Sequence, residues 1–224
     1  MIARLEKWLF PPKCVITGEK AEKIDLRDVF IQQWRRPKGA CPVCGRLGMS
    51  GRICGQCLKA PPAYERTQAA FLFDHELRNL IHQYKYYQQL YLSRLLAQAM
   101  QNAIDPQGVQ ALVPIPLHPK RLRERGYNQA GELARVLGQA FNLPVIHALE
   151  RLHNTPSQTQ LKAEQRKQNL KKAFRACESC LQEFDSIAIV DDVITSGSTM
   201  HFSALALKHS HPKLKIQAWA IAQA

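Results

Sequence analysis

No stretch of this chain reaches the roughly 18 consecutive apolar residues that a membrane-spanning helix requires, so no segment is expected to cross a bilayer as a helix. The first ten residues, Met1–Phe10, carry charge inside their apolar part and lack the uninterrupted core of a secretory signal. A cytoplasmic protein is the expectation. No G-x-x-x-x-G-K-[ST] loop is present, which removes the P-loop nucleotide-binding reading. No internal repeat and no low-complexity tract is visible. The histidines, His75, His82, His118, His147, His153, His201, His209 and His211, show no metal-like spacing with Asp or Glu, and no Ser-His-Asp arrangement can be assembled. Acidic residues are scarce: 18 Asp and Glu stand against 31 Lys and Arg, a formal charge of +13. Such an excess raises the local concentration of anions and favours phosphate-bearing partners, although solubility alone also benefits from a basic surface. Hydrophobic residues make up 46% of the 224, enough for a real core and against wholesale disorder.

Cysteine is present in an unusual arrangement. Six of the seven, all but Cys14, fall in C-x-x-C pairs. In a cytosolic chain that spacing points to metal rather than to a disulfide framework. Residues 41–57 place Cys41, Cys44, Cys54 and Cys57 as C-x2-C-x9-C-x2-C. A two-residue gap lets two thiolates of one tight turn face a single ion, and Gly45 and Gly55 ease the turns. Four sulfurs leave no open position for water, so the ion is expected to be structural Zn²⁺. Cys14 lacks a partner two residues on and is read as free or packed. Cys177-Glu-Ser-Cys180 is an isolated pair and receives no site role.

After Pro61-Pro62 the pattern becomes that of alternating strands and helices. Ala69–Phe73, Ala111–Pro116, Ile187–Val190 and Ile216–Ala222 read as strands. Leu77, Leu80, Ile81 and Tyr84 mark one helical face, and Leu92, Leu95, Leu96, Ala99 and Met100 another. Residues 129–141 and 199–209 are further helices. This alternation predicts an α/β fold with a mostly parallel sheet. The expected organisation is a segment 1–62 carrying the cysteine ribbon, followed by an α/β domain over 63–224. In such sheets ligands bind at the carboxyl ends of strands.

The most informative stretch is Ile187-Ala-Ile-Val-Asp-Asp-Val-Ile-Thr-Ser-Gly-Ser-Thr199. A buried strand leads to Asp191 and Asp192, and a short loop then opens a helix. Unpaired N–H groups at a helix start bind phosphate, and Gly197 lets the backbone come close. The hydroxyls of Thr195, Ser196, Ser198 and Thr199 add donors. The two carboxylates suit the hydroxyls of a ribose. Together these describe a pocket for a ribose 5-phosphate group. Helix capping alone would account for one hydroxyl, and a metal-binding acid pair would need the missing P-loop.

Two basic groups stand out. Lys120, Arg121, Arg123 and Arg125 crowd into six residues, and Arg166, Lys167, Lys171 and Lys172 form a second set. Tyr84, Tyr86, Tyr87 and Tyr91 lie beside Lys85. Cations interleaved with aromatic rings suit single-stranded nucleic acid. The arginines equally suit a diphosphate, and tyrosines at helical spacing equally suit a core.

Val190–Thr199 (VDDVITSGST) resembles the phosphoribosyl-diphosphate (PRPP) signature of type I phosphoribosyltransferases. The cysteine ribbon, Leu80–Tyr86 (LIHQYKY), Val113–Gln129 (VPIPLHPKRLRERGYNQ) and Arg166–Phe174 (RKQNLKKAF) follow in the order of the ComF, or GntX-like, competence protein family. The resemblance covers nearly the whole chain. It departs at Thr17, where a second N-terminal C-x-x-C would place a cysteine, and at Ser196, which keeps a hydroxyl in place of threonine. What the resemblance implies is a Rossmann-like phosphoribosyltransferase sheet beside a zinc ribbon. Asp191 and Asp192 would hold the ribose hydroxyls, and Val193 with residues 195–199 would hold the phosphate. Lys120, Arg121, Arg123, Arg125 and Arg166 would lie toward diphosphate or DNA. A flap would span residues 151–169, and Mg²⁺ would be shared with the diphosphate. Implied partners are PRPP, single-stranded DNA and proteins of competence or recombination. Three functions stay open: a DNA-handling protein with a PRPP pocket, a phosphoribosyltransferase, and a sensor of the nucleotide pool. Little chain follows Ile216–Gln223, leaving a base-holding hood there short.

Overall fold

A computed structural model describes residues 13, 14, 19, 28–86, 89–153 and 172–224. The chain divides into two compact units, Met1–Arg35 and Arg36–Ala224. In the first, α1 spans Asp28–Gln33, and Cys14 is buried with its N–H donating to the Glu19 carbonyl at 2.7 Å.

The second unit holds both the cysteine motif and the sheet. After α2 (Gly55–Lys59) come β1 (Arg66–Leu72), α3 (His75–Tyr86), α4 (Tyr91–Gln101) and β2 (Ala111–Pro114). Then follow α5 (Pro119–Arg125), α6 (Gln129–Phe141), β3 (Leu149–Arg151), β4 (Phe174–Ala176), β5 (Ser186–Ile194), α7 (Ser198–Ser210) and β6 (Lys215–Gln223). The main sheet runs β1-β6-β5-β2 with every pairing parallel. β3 and β4 form a separate antiparallel pair. The expected strands and helices all form, and the mostly parallel α/β sheet is as the alternation implied.

Central strands covered on both faces must be apolar throughout. Ile187, Ala188, Ile189 and Val190 on β5, and Ala218 through Ala222 on β6, are fully buried. Odd positions of β5 and even positions of β6 (Ile187, Ile189, Ile216, Ala218, Ala220) join one core with Leu149, Phe174, Met200, Ala204 and Leu207. That face is covered by α7 and the β3–β4 pair. α4 and α6 pack on the sheet from β6, β5 and β2, where the Phe141 ring meets Trp219 edge-on at 5.9 Å. Gly138 allows α6 to sit this close: a Cβ there would lie 2.7 Å from the Leu143 carbonyl oxygen and 2.8 Å from Val145.

β5 is longer than its apolar run. It continues through the two aspartates to Ile194, because β6 offers ladder partners as far as Gln223. The acids therefore sit inside a strand rather than beyond it. Successive side chains of a strand point to opposite faces, which separates the surroundings of Asp191 from those of Asp192.

Candidate functional site

The four cysteines of residues 41–57 converge. Their sulfur atoms all lie within 4.8 Å of one another. A tetrahedron on Zn–S bonds of about 2.3 Å has edges of about 3.8 Å, so the cluster needs only a small contraction to close on an ion. Cys44 and Cys54 already stand 3.6 Å apart, and the Cys54 N–H donates to Cys41 Sγ at 3.3 Å. Burial opposes charge on Cys41, but backbone N–H donors from Cys44, Cys54 and Val43 outweigh it and bring that thiol down to about 6. Cys54 is lowered as well, by a Cys57 N–H first, whereas burial pushes Cys44 and Cys57 up, so a metal would displace protons from those two on binding. Residues 45–53 run as successive turns, with Gly45, Gly48 and Gly51 at φ of 77°, 74° and 75°. This motif is stitched to the sheet: Thr67 of β1 donates its N–H to Pro42 O at 3.0 Å and its hydroxyl to Val43 O at 2.7 Å. Cys177 and Cys180, given no site role from sequence, are disulfide-bonded to each other in the turn before β5.

At the carboxyl end of β5 the chain turns in three residues, Thr195-Ser196-Gly197, into α7. Gly197 is the N-cap, at φ 71° in the left-handed region where a Cβ is penalised. Thr195 and Ser196 are exposed, while Gly197, Ser198 and Thr199 are half-buried. The Ser196 and Ser198 hydroxyls stand 3.0 Å apart, and the Ser198 N–H points to Ser196 Oγ at 3.4 Å. Val193 is held in the ladder opposite Ala222. Beneath Gly197 lies the Tyr64 ring, only 3% exposed, whose phenol burial pushes up to about 12.

The acid pair is surrounded by cations. Asp192 is buried and takes the Lys85 ammonium on Oδ1 at 2.8 Å. Lys85 comes from the last turn of α3. Burial works against its charge, but Asp192 first and Asp191 second hold its pKa above the ordinary value. Asp191 Oδ1 accepts the Asp192 N–H at 2.9 Å. Burial raises the Asp191 carboxyl, the Asp192 charge raises it further, and Lys85 and Arg151 pull it back, leaving it at about 7.

α5 supplies two more cations. Arg121 and Arg125, four residues apart and so on one helical face, are half-buried, whereas Lys120 and Arg123 are exposed. Burial and Arg125 both depress Arg121; burial, then Arg121 and Arg125, depress Arg151. These three guanidinium groups thus share one neighbourhood with the acids. Arg125 donates to Gln129 Oε1 at 3.0 Å and stacks over Tyr86, 5.3 Å from the ring centre. Tyr84 belongs to the core: fully buried, it donates its hydroxyl to Gln129 O at 2.8 Å, and Tyr127 donates in turn to the Tyr84 carbonyl. Tyr86 and Tyr91 are more than half exposed, at 57% and 54%. Arg166, the residue 154–169 portion of the expected flap, and Tyr87 lie outside the described residues. Lys85 and Arg151 were not singled out as site residues by the sequence. A lysine closing an otherwise apolar helical face is a signal for the first; nothing local marks the second.

No protein-family model matches the chain. Curated relatives do. Competence protein F of Haemophilus influenzae is 32% identical over 196 residues, covering 82% of this chain and 85% of the relative. The DNA utilization protein YhgH of Escherichia coli strain K12 is 34% identical over 197 residues, covering 84% and 85%. Among solved structures, glutamine PRPP amidotransferase from B. subtilis, complexed with ADP and GMP, is 16% identical with a TM-score of 0.37, covering 62% of this chain and 26% of that one. That likeness is too low to bear on the site. The chain belongs to the ComF family of competence and DNA utilisation proteins.

Proposed function

We propose that this protein binds PRPP, or a related ribose 5-phosphate, with Mg²⁺ at the carboxyl end of β5, and handles single-stranded DNA on the basic, aromatic surface beside it. The observation that carries the reading is the Lys85–Asp192 ion pair at 2.8 Å, with Arg151 in electrostatic reach of Asp191, next to a hydroxyl-lined turn at a helix start. Phosphate would take the N–H groups and hydroxyls of residues 195–199. The carboxylates would accept from the ribose hydroxyls. The arginine forks match a diphosphate, and Mg²⁺ would sit on diphosphate oxygens and waters with little protein ligation. Tyr86, with Arg125 stacked on it, and Tyr91 supply exposed rings for bases. The relatives' names, competence and DNA utilisation, favour the DNA part of this reading.

The test is thermal. Mg²⁺ with PRPP should raise the melting temperature of the zinc-loaded protein, and Asp191→Ala with Asp192→Ala should abolish that rise. A double variant that shifts as the parent does would remove the pocket from this strand end.

The cation cluster also favours a second reading, an active phosphoribosyltransferase. Arginines beside a diphosphate stabilise a leaving group, and the acids would steady a sugar carrying positive charge. Diphosphate release from PRPP in the presence of single-stranded DNA or free bases would separate this reading from binding alone.

A further inference from the structure

The cysteine cluster and the β5–α7 turn lie at two ends of one short stretch of chain, residues 63–67. At the metal end, Thr67 binds Pro42 O and Val43 O, the two carbonyls inside the first Cys-x-x-Cys turn. Gly45, the residue after that turn, packs so closely on the end of β6 that a Cβ would lie 2.4 Å from Gln223 Oε1. At the other end, the Ala63 N–H donates to His201 Nδ1 at 3.1 Å, and the His201 N–H closes the first turn of α7 onto Gly197 O at 2.9 Å. Between them the Tyr64 hydroxyl supports Gly197 from below, 3.0 Å from the position a Cβ would take. Glu65 fixes the middle, accepting the Ile216 N–H at 2.5 Å and the Lys208 ammonium of α7 at 2.6 Å. Ala63, Tyr64 and Thr67 are thus tied to one end or the other, and Glu65 to β6 and α7 between them.

We propose that Tyr64 is a positioning residue for the 195–199 turn, and that metal held by Cys41, Cys44, Cys54 and Cys57 sets that turn through residues 63–67. The cluster fits a structural zinc ion, whose loss frees the Pro42 and Val43 carbonyls that hold Thr67. With Thr67 released, Tyr64 loses its fixed place under Gly197, the one residue of the turn in a left-handed conformation. Linkage makes the effect reciprocal: a ligand that orders the turn must also tighten the metal. The ligand part rests on the phosphate reading of the turn; the mechanical part does not.

The experiment uses the zinc-loaded protein, Tyr64→Phe, which keeps the ring, and Thr67→Val, which keeps the volume. Amide exchange at 195–199 is followed without ligand, together with zinc release to a chelator with and without ribose 5-phosphate. Faster exchange at the turn in Tyr64→Phe with zinc retained, and in the parent on zinc removal, supports the link. So does chelator release slowed at least about fivefold by ribose 5-phosphate in the parent, the low end of typical coupling between linked sites, and less in either variant. Turn exchange unchanged in both variants and on zinc removal overturns it, even if ribose 5-phosphate binds well. If the turn responds to zinc and to Tyr64→Phe while ribose 5-phosphate fails to bind the parent, the link stands and the phosphate reading falls.

Discussion

Replacing Lys85 by methionine isolates the ion pair at the centre of the site. The side chain keeps its length and its packing on α3, and only the ammonium is lost. Asp192, with its side chain 9% exposed, then faces the strand end without the partner it holds at 2.8 Å. Removing one member of a buried pair typically costs about 3–5 kcal/mol. Lys85 is 24% exposed, so water replaces part of the interaction and the low end, about 3 kcal/mol, applies at pH 8. For a chain of this length that corresponds to a fall of roughly 6–12 °C in melting temperature.

The pH dependence is the sharper part. Asp191 carries it. Its carboxyl is raised to about 7 in the folded protein, so its contribution to stability is complete below its unfolded value and drains away as pH rises through 7. Losing Lys85 raises it further and deepens that drain above neutrality. Thermal unfolding of parent and variant at pH 5 and pH 8 should therefore show the larger deficit at pH 8. A second change, Asp192→Asn in the Lys85→Met background, should restore most of it at pH 8, because the orphaned charge is gone. Equal deficits at the two pH values, or a double variant no better than the single, would refute the assignment of Lys85 as the counter-ion of Asp192.

Affinity for ribose 5-phosphate should rise as pH climbs through about 7, because the sugar hydroxyls donate to ionised Asp191. Asp191→Asn should flatten that part of the profile in calorimetry, leaving only the phosphate's own ionisation. Gly197→Ala should lower the melting temperature by a few degrees and weaken ribose 5-phosphate, since φ 71° and the Tyr64 hydroxyl both penalise a Cβ, at a cost on the order of 1–2 kcal/mol. Single-strand DNA affinity should fall steeply with salt, and Tyr86→Ala should weaken it by about 1–3 kcal/mol if a base stacks there. Fluorescence anisotropy showing salt-independent binding, or none at low salt, would count against the DNA surface.

What the sequence revealed follows from contiguity. The four cysteines, the β5 run and the turn into α7 are each continuous, so their spacing carries their geometry. Lys85 and Arg151 reach the acids only through tertiary packing: one closes α3, the other sits in a three-residue strand aligned by pairing with β4. Only the lysine at the end of an apolar helical face hints at the first meeting; no local pattern reports the second. Tyr84 was read with its neighbours as either core or nucleic-acid contact, and its helical spacing with Leu77, Leu80 and Ile81 placed it in the core. α5 was read only as a basic run, although its boundaries were written in the chain. Pro119 opens it, His118 caps it by accepting the Lys120 N–H at 3.2 Å, and Gly126 closes it at φ 80°. Recognising that helix would have paired Arg121 with Arg125 and set Lys120 and Arg123 aside as outward-facing.

The balance of charge at the site explains why a free pocket of this kind should be stable yet ready for an anion. Lys85 pairs with Asp192, Arg151 lies in electrostatic reach of Asp191, and Arg121 and Arg125 neighbour Arg151, so proton uptake by Asp191 near neutrality leaves positive charge in excess there. Beyond burial, Arg125 depresses Arg121, and both depress Arg151, so Arg121 and Arg151 gain when a multiply charged anion arrives beside them. Lys85 has the opposite role. It is committed to Asp192, pairing with Oδ1 of that carboxylate at 2.8 Å. A neutral sugar would meet the acids and leave the arginines repelling one another. An inorganic phosphate would satisfy the turn and leave the acids with their protein partners alone. On the reading proposed above, a ligand carrying hydroxyls between two anionic groups would satisfy all three parts together, as neither fragment would.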